Sequence, residues 1–274
     1  MFYTELSESE RKKNIAFKRI LKRLADMEYA HYLFWSRFNS EKPSVNVFKI
    51  RLMKLLRSVL GITFTLRYLE KNELKSVNKY MEIMHLFPPA GKKVLGQIIA
   101  DEEQHQREFN RNFKGRINYI SFIVLGLADA LVEIAGIHAG ALGIYNSTEV
   151  AGLAGIVAGA AASIAMASAA YAQAKTGFKG SAGVSAIYTG ISYFAAAVLL
   201  ATPYFMTRIM LTALIVSLIV GVILIGIITF FGSVISGTVF RKDFAEVTSI
   251  MFGAAGALYL LGLTIRHFTG TIIP

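Results

Sequence analysis

No cysteine occurs in the 274 residues. That excludes a disulfide scaffold, a thiolate-bound metal and an iron–sulfur cluster. A metal, if bound, would have to be held by Asp, Glu, His or Met. Acidic residues are also scarce, 18 Asp+Glu against 29 Lys+Arg, and the net charge is +11. The scarcity is uneven. Residues 1–116 hold 23 basic and 13 acidic side chains, a net of +10, whereas residues 117–274 hold only 6 and 5, a net of +1. A single ordinary soluble domain does not divide its charge this way. The pattern predicts a charged, water-facing first half and a membrane-embedded second half. The opening MFYTELSESERKKN is too polar for the core of a signal peptide. The first half is therefore expected in the cytosol. A nearby bilayer accounts for the basic excess, so no nucleic-acid partner is expected.

The second half, 116–274, contains five apolar runs at about 117–143, 150–172, 183–204, 209–232 and 246–265. Each is near the roughly 20 residues that cross a bilayer. Lys175, Lys179, Arg241 and Lys242 mark two of the four connections. Keeping those cations inside predicts an integral, multi-pass protein with a cytosolic N-terminus and an external C-terminus.

Within the first span, GLADALVEIAGIHAGALG, Asp129 and Glu133 interrupt an otherwise uncharged stretch. Each costs roughly 2.5–3.5 kcal/mol to insert, so such groups mark ion or proton pathways. Their i, i+4 spacing puts both on one face of the helix. Gly136 and Gly140 fall on the same side, in a pattern that admits a close neighbouring helix. The second span has a matching pair, Gly155 and Gly159, and a thioether, Met166, which ordinary apolar filling would also explain. His138 lies about 140° around the helix from Glu133 and is expected to pack rather than bind metal.

Three helices are expected in the first half, at 7–39, about 62–85 and about 90–114. Each carries an apolar stripe broken at mid-length by metal-competent side chains. Glu28 and His31 interrupt the first, Glu70 and Glu73 the second, and Glu102 and His105 the third. Residues i and i+3 point the same way, so a Glu-x-x-His pair can offer a carboxylate and an imidazole to one ion. Two such pairs and a Glu pair predict a mono- or dinuclear Fe²⁺ or Mn²⁺ site. A metal-free buried polar network is the plainer reading of the same pattern. Asp26, Glu82, Asp101, Glu103 and Glu108 lie off the stripes and read as solvated charges. Segment 44–60, SVNVFKIRLMKLLRSVL, has four cations and no acid. Its wheel predicts an amphipathic helix on an anionic membrane surface, or else the start of one long helix through Gly61.

Two stretches, VLGLADALVEIAGIHAG (124–140) and AGIVAGAAASIAMASAAYAQAKT (154–176), resemble spans one and two of the vacuolar iron transporter family. MEYAH (27–31), YLEKNE (68–73) and DEEQH (101–105) resemble the rubrerythrin or ferritin-like domain fused to such transporters in prokaryotes, the membrane-bound ferritin arrangement. The resemblance implies an all-α protein, with a ferritin-like cytosolic metal-binding domain at 1–115 and a five-span transporter domain at 116–274. It further implies a homodimeric exporter in a prokaryotic cell membrane, passing Fe²⁺, often Mn²⁺, out of the cytosol against protons. In that family the path residues correspond to Asp129, Glu133 and Met166. This chain departs from the family in three ways. Ala170 stands where the family has Glu before Tyr171, the acidic domain between spans two and three is missing, and only three bundle helices are evident. Two other functions remain open: a membrane-anchored di-iron oxidase or peroxide reductase, and a non-transporting metal sensor.

Overall fold

The structure is a computed structural model that describes residues 15–38, 47–176 and 180–270. Every described element is helical. The chain divides into two compact units, Met1–Lys114 and Gly115–Pro274.

The first unit contains α1 (Ile15–Trp35), α2 (Val47–Ile83) and the opening part of α3 (Pro89–Ile144). A single 3₁₀ turn, Met84–Leu86, ends α2. Phe87 then takes an extended backbone, φ −91° and ψ 148°, as expected of a residue before proline. Pro89 opens α3, where its missing N–H costs nothing. Phe34 of α1 packs with Leu95 and Ile98 of α3, and Tyr80 of α2 and Met84 of the 3₁₀ turn close the cluster. The expected stripes are buried at Leu21, Leu66, Val77, Leu95 and Ile98. Phe38, beyond the end of α1, is 58% exposed.

Segment 44–60 is not a separate surface helix where it is described. From Val47 it belongs to the 37-residue α2, which passes through Gly61 unbroken. An interior glycine costs about 1 kcal/mol, less than the packing on either side supplies. Met53 is buried and Leu55 exposed. Because 47–60 is part of α2, it cannot be a fourth bundle helix.

The second unit holds five helices long and apolar enough to cross a bilayer, so the chain is a multi-pass membrane protein. They are Tyr119–Ile144 (the rest of α3), α4 (Thr148–Lys175), α5 (Ala182–Met206), α6 (Met210–Ser236) and α7 (Phe240–Thr269). We refer to them as spans one to five. Ser147 and Ser181 cap α4 and α5 by accepting from the backbone N–H of Val150 and Val184. Gly237, at φ 77°, ends α6 in the left-handed conformation that favours glycine. Span five begins at Phe240 rather than near 246, taking Arg241, Lys242, Asp243 and Glu246 into its first turns. Long charged side chains at a helix end can reach the interface from there. The core draws Leu131, Ile134 and Ala135 from span one, Ala197 and Leu200 from span three, Ile225 and Ile228 from span four, and Met251 from span five.

Candidate functional site

In the first unit, α1 presents Glu28 and His31 one turn apart, and α3 brings Glu102 to them. One ligand atom from each of the three lies within 4.8 Å of the others. His31 Nδ1 is 3.2 Å from Glu102 Oε1, and the two residues are 7% and 8% exposed. A second carboxylate, Asp101 Oδ2, lies 3.6 Å from His31 Nε2. Asp101 had been read as a solvated charge. It points about 100° away from Glu102 around α3, but the imidazole has nitrogens on both sides and sits between the two acids.

Burial disfavours the His31 imidazolium. The Glu102 hydrogen bond, the charges of Glu28 and Glu102 and the Asp101 contact outweigh that, and the pKa is raised above its ordinary 6.5. Tyr80, stacked on Trp35 with ring centroids 4.9 Å apart, is also raised, first by burial and then by the charge of Glu102. Two carboxylates and an imidazole suit Fe²⁺ and Mn²⁺ alike. The side chains of Glu70, Glu73 and His105 lie outside the described residues. The structure thus brings together three of the six assigned ligands.

In the second unit, Asp129 and Glu133 share one face of span one, and both are exposed in the single chain. The Tyr193 hydroxyl, on span three, donates to Glu133 Oε2 at 2.5 Å. Tyr193 itself is fully buried, in a cluster with Ala130 and Ala196, and Met166 of span two packs against that cluster. Met166 and Glu133 thus both adjoin the cluster that holds Tyr193.

The glycines assigned to helix packing fit side chains and backbone closely. A methyl group at Gly136 would meet Leu258, and one at Gly140 would come within 3.2 Å of the Leu258 carbonyl. One turn on, a methyl group at Gly143 would come within 2.8 Å of the Gly262 backbone. Span one's glycine edge is filled by span five of the same chain. On span two, Gly155 abuts His138, and Gly159 abuts Ala197 and Ile134. Ala170 is buried with Phe122 and Ala174.

Tyr193, Tyr204 and Asp101 were missed in the sequence. The two tyrosines could have been found. They are eleven residues apart, hence on one face of span three, and a phenol in an apolar span needs a partner for its hydroxyl. Comparison with protein-family models, curated proteins and solved structures finds no match.

Proposed function

We propose that the chain exports a divalent metal, Fe²⁺ and also Mn²⁺, from the cytosol in exchange for protons. One observation carries the reading. Two carboxylates lie one turn apart on an apolar span, uncovered by any described helix of their own chain, and one of them is held from behind by Tyr193. In a bilayer, exposed carboxylates need a water-filled path or a covering protein surface. A second copy of the chain, placed across this face of span one by a two-fold axis, would supply both.

Glu28, His31 and Glu102 form the cytosolic capture site in this reading. Their donor set favours a hard or borderline cation. Asp129 and Glu133 then take the ion, with the Met166 thioether close by. Metal ligands must be deprotonated, so protons arriving from outside displace the ion from the carboxylates. The cytosolic N-terminus and external C-terminus follow from the cations between the spans.

The test is metal uptake into proteoliposomes under an imposed pH gradient, with an internal pH dye. Flux with opposing proton movement is expected, and Asp129→Ala should abolish it in a folded protein. Normal flux in that variant defeats the assignment.

A second reading, a metal sensor without transport, is favoured by Ala170. Its methyl group is packed against Phe122, so no carboxylate replaces the one that the resemblance would place there. Stoichiometric metal binding in the parent protein, with no flux at any gradient, would favour it.

A further inference from the structure

His138 takes no part in the proposed metal path, yet it is a fully buried imidazole inside a membrane span. Among the described residues, neither of its ring nitrogens has a hydrogen-bond partner. It lies against the ring of Tyr204 on span three, with centroids 4.3 Å apart and planes tilted by 34°. The Tyr204 hydroxyl is likewise buried and without a partner. Gly155 of span two abuts His138 Nε2 so closely that a methyl group there has no room. One turn earlier, a methyl group at Gly152 would come within 2.9 Å of Tyr204 Cβ and 3.0 Å of the Phe205 ring. Three spans thus close on one imidazole, and two glycines on span two make the space for it.

Plain packing is a poor explanation. A phenylalanine would fill the same space without leaving two buried nitrogens unsatisfied. On its Gly155 side the ring is closed so tightly that a methyl group does not fit. Histidine is also the side chain whose charge ordinarily changes near neutral pH.

The surroundings decide what a proton would do there. On its own helix, Glu133 lies five residues back and is bound to Tyr193. Span two places Gly155 against the ring and Gly152 against Tyr204, and its Glu149 is exposed in the first turn. Span three offers Tyr204, with Arg208 exposed beyond it. Around Tyr204, span four contributes Ala213 and Leu214, and span five contributes Ala255 and the phenol Tyr259. No described carboxylate reaches the ring. An imidazolium in this packing would be a buried charge without a counter-charge, and the packed arrangement could not hold it.

We propose that His138 is a proton-binding latch of the membrane unit. The neutral ring locks spans one, two and three at Gly155 and Tyr204, and a proton arriving on it parts them. The latch deepens the proton-exchange reading above and gives the proton a place of action separate from Asp129 and Glu133.

The absence of cysteine makes the test direct. Spin labels at Leu153→Cys on span two and Leu199→Cys on span three, both on exposed positions, report the separation of the two spans. The full chain would be studied in lipid nanodiscs by pulsed electron–electron resonance at pH 8 and pH 5. Doping with unlabelled chain suppresses distances between copies. The expected result is a shift on the order of 2–5 Å at pH 5, absent from H138F. H138Q makes the same comparison if the phenylalanine variant does not fold. A parent distribution that is the same at both pH values overturns the latch. So does a full shift retained in the His138 variants, which would assign the motion to Asp129 or Glu133. Proteoliposome flux separates this inference from the transport reading. A His138-dependent shift in a parent that moves no metal leaves the latch standing and removes the transporter. Metal flux without any shift does the reverse.

Discussion

The Tyr193 hydroxyl of span three donates to Oε2 of Glu133 on span one at 2.5 Å, across 60 positions of sequence. The tyrosine is buried and the glutamate exposed. One carboxylate oxygen is fixed from the protein side while the other remains available at the surface. A hydrogen bond from a buried donor sets where the carboxylate stands.

Tyr193→Phe should keep the fold and lose that fixed position. We expect roughly a tenfold drop in metal flux at subsaturating metal, the equivalent of about 1.4 kcal/mol. Flux measured against metal concentration checks it. An unchanged concentration dependence would show that the bond does not position Glu133.

In the first unit, His31→Ala and Glu102→Gln should each weaken Fe²⁺ or Mn²⁺ binding by about a hundredfold or more. Asp101→Asn should cost less, about tenfold, because it acts through the His31 ring rather than on the ion. Calorimetric titration of the full chain in detergent, in anoxic buffer for Fe²⁺, measures all three. Equal losses for Asp101 and Glu102 would make Asp101 a direct ligand.

The pH dependence of that binding follows from His31. Its pKa in the folded protein is raised above 6.5, and a metal needs the neutral ring. Affinity should therefore begin to fall while the pH is still above 6.5 and continue to fall below it. In metal-free protein the sign reverses. The contribution of His31 to stability is fully present below about pH 6.5 and lost as pH rises through the higher folded value. Metal titrations at several pH values and thermal melts of the metal-free chain check the two slopes. His31→Gln should flatten both.

Gly262→Ala should destabilise the membrane unit, since its methyl group would meet the Gly140 carbonyl oxygen of span one. Overpacking of this kind costs about 1–3 kcal/mol. Gly253→Ala is the control, because nothing lies within 4 Å of its added methyl group on the same span. The midpoint of thermal unfolding in detergent should fall for the first and hold or rise for the second, where alanine removes the helix penalty of glycine.

Much of this protein could be read without coordinates, because the bilayer demands long, uncharged, self-satisfied helices. The five spans begin and end within a few residues of their apolar runs, except at Phe240, where snorkelling charges extend the helix. Glu28 and His31 share a face because i, i+3 spacing on a helix requires it. The limits lay in signals that are locally weak. Gly61 looked like a break, but tertiary packing outweighs one glycine. Asp101 looked solvated because a helical wheel ignores the reach of a histidine on another helix.

The charge-divided chain, the five crossings and the placing of two acids on one face of span one are legible in the residues alone. These depend on local periodicity and on transfer from water, which neighbouring residues decide between them. Helix packing settles which helix each face meets. It placed Glu102 rather than another acid beside His31, Tyr193 behind Glu133, span five in the glycine edge of span one, and His138 against Tyr204 and Gly155. Partner choice between apolar helices rests on close steric fit, because the hydrophobic effect gives no preference among them inside a bilayer. That fit is a property of two surfaces at once, and a single stretch of sequence contains only one of them.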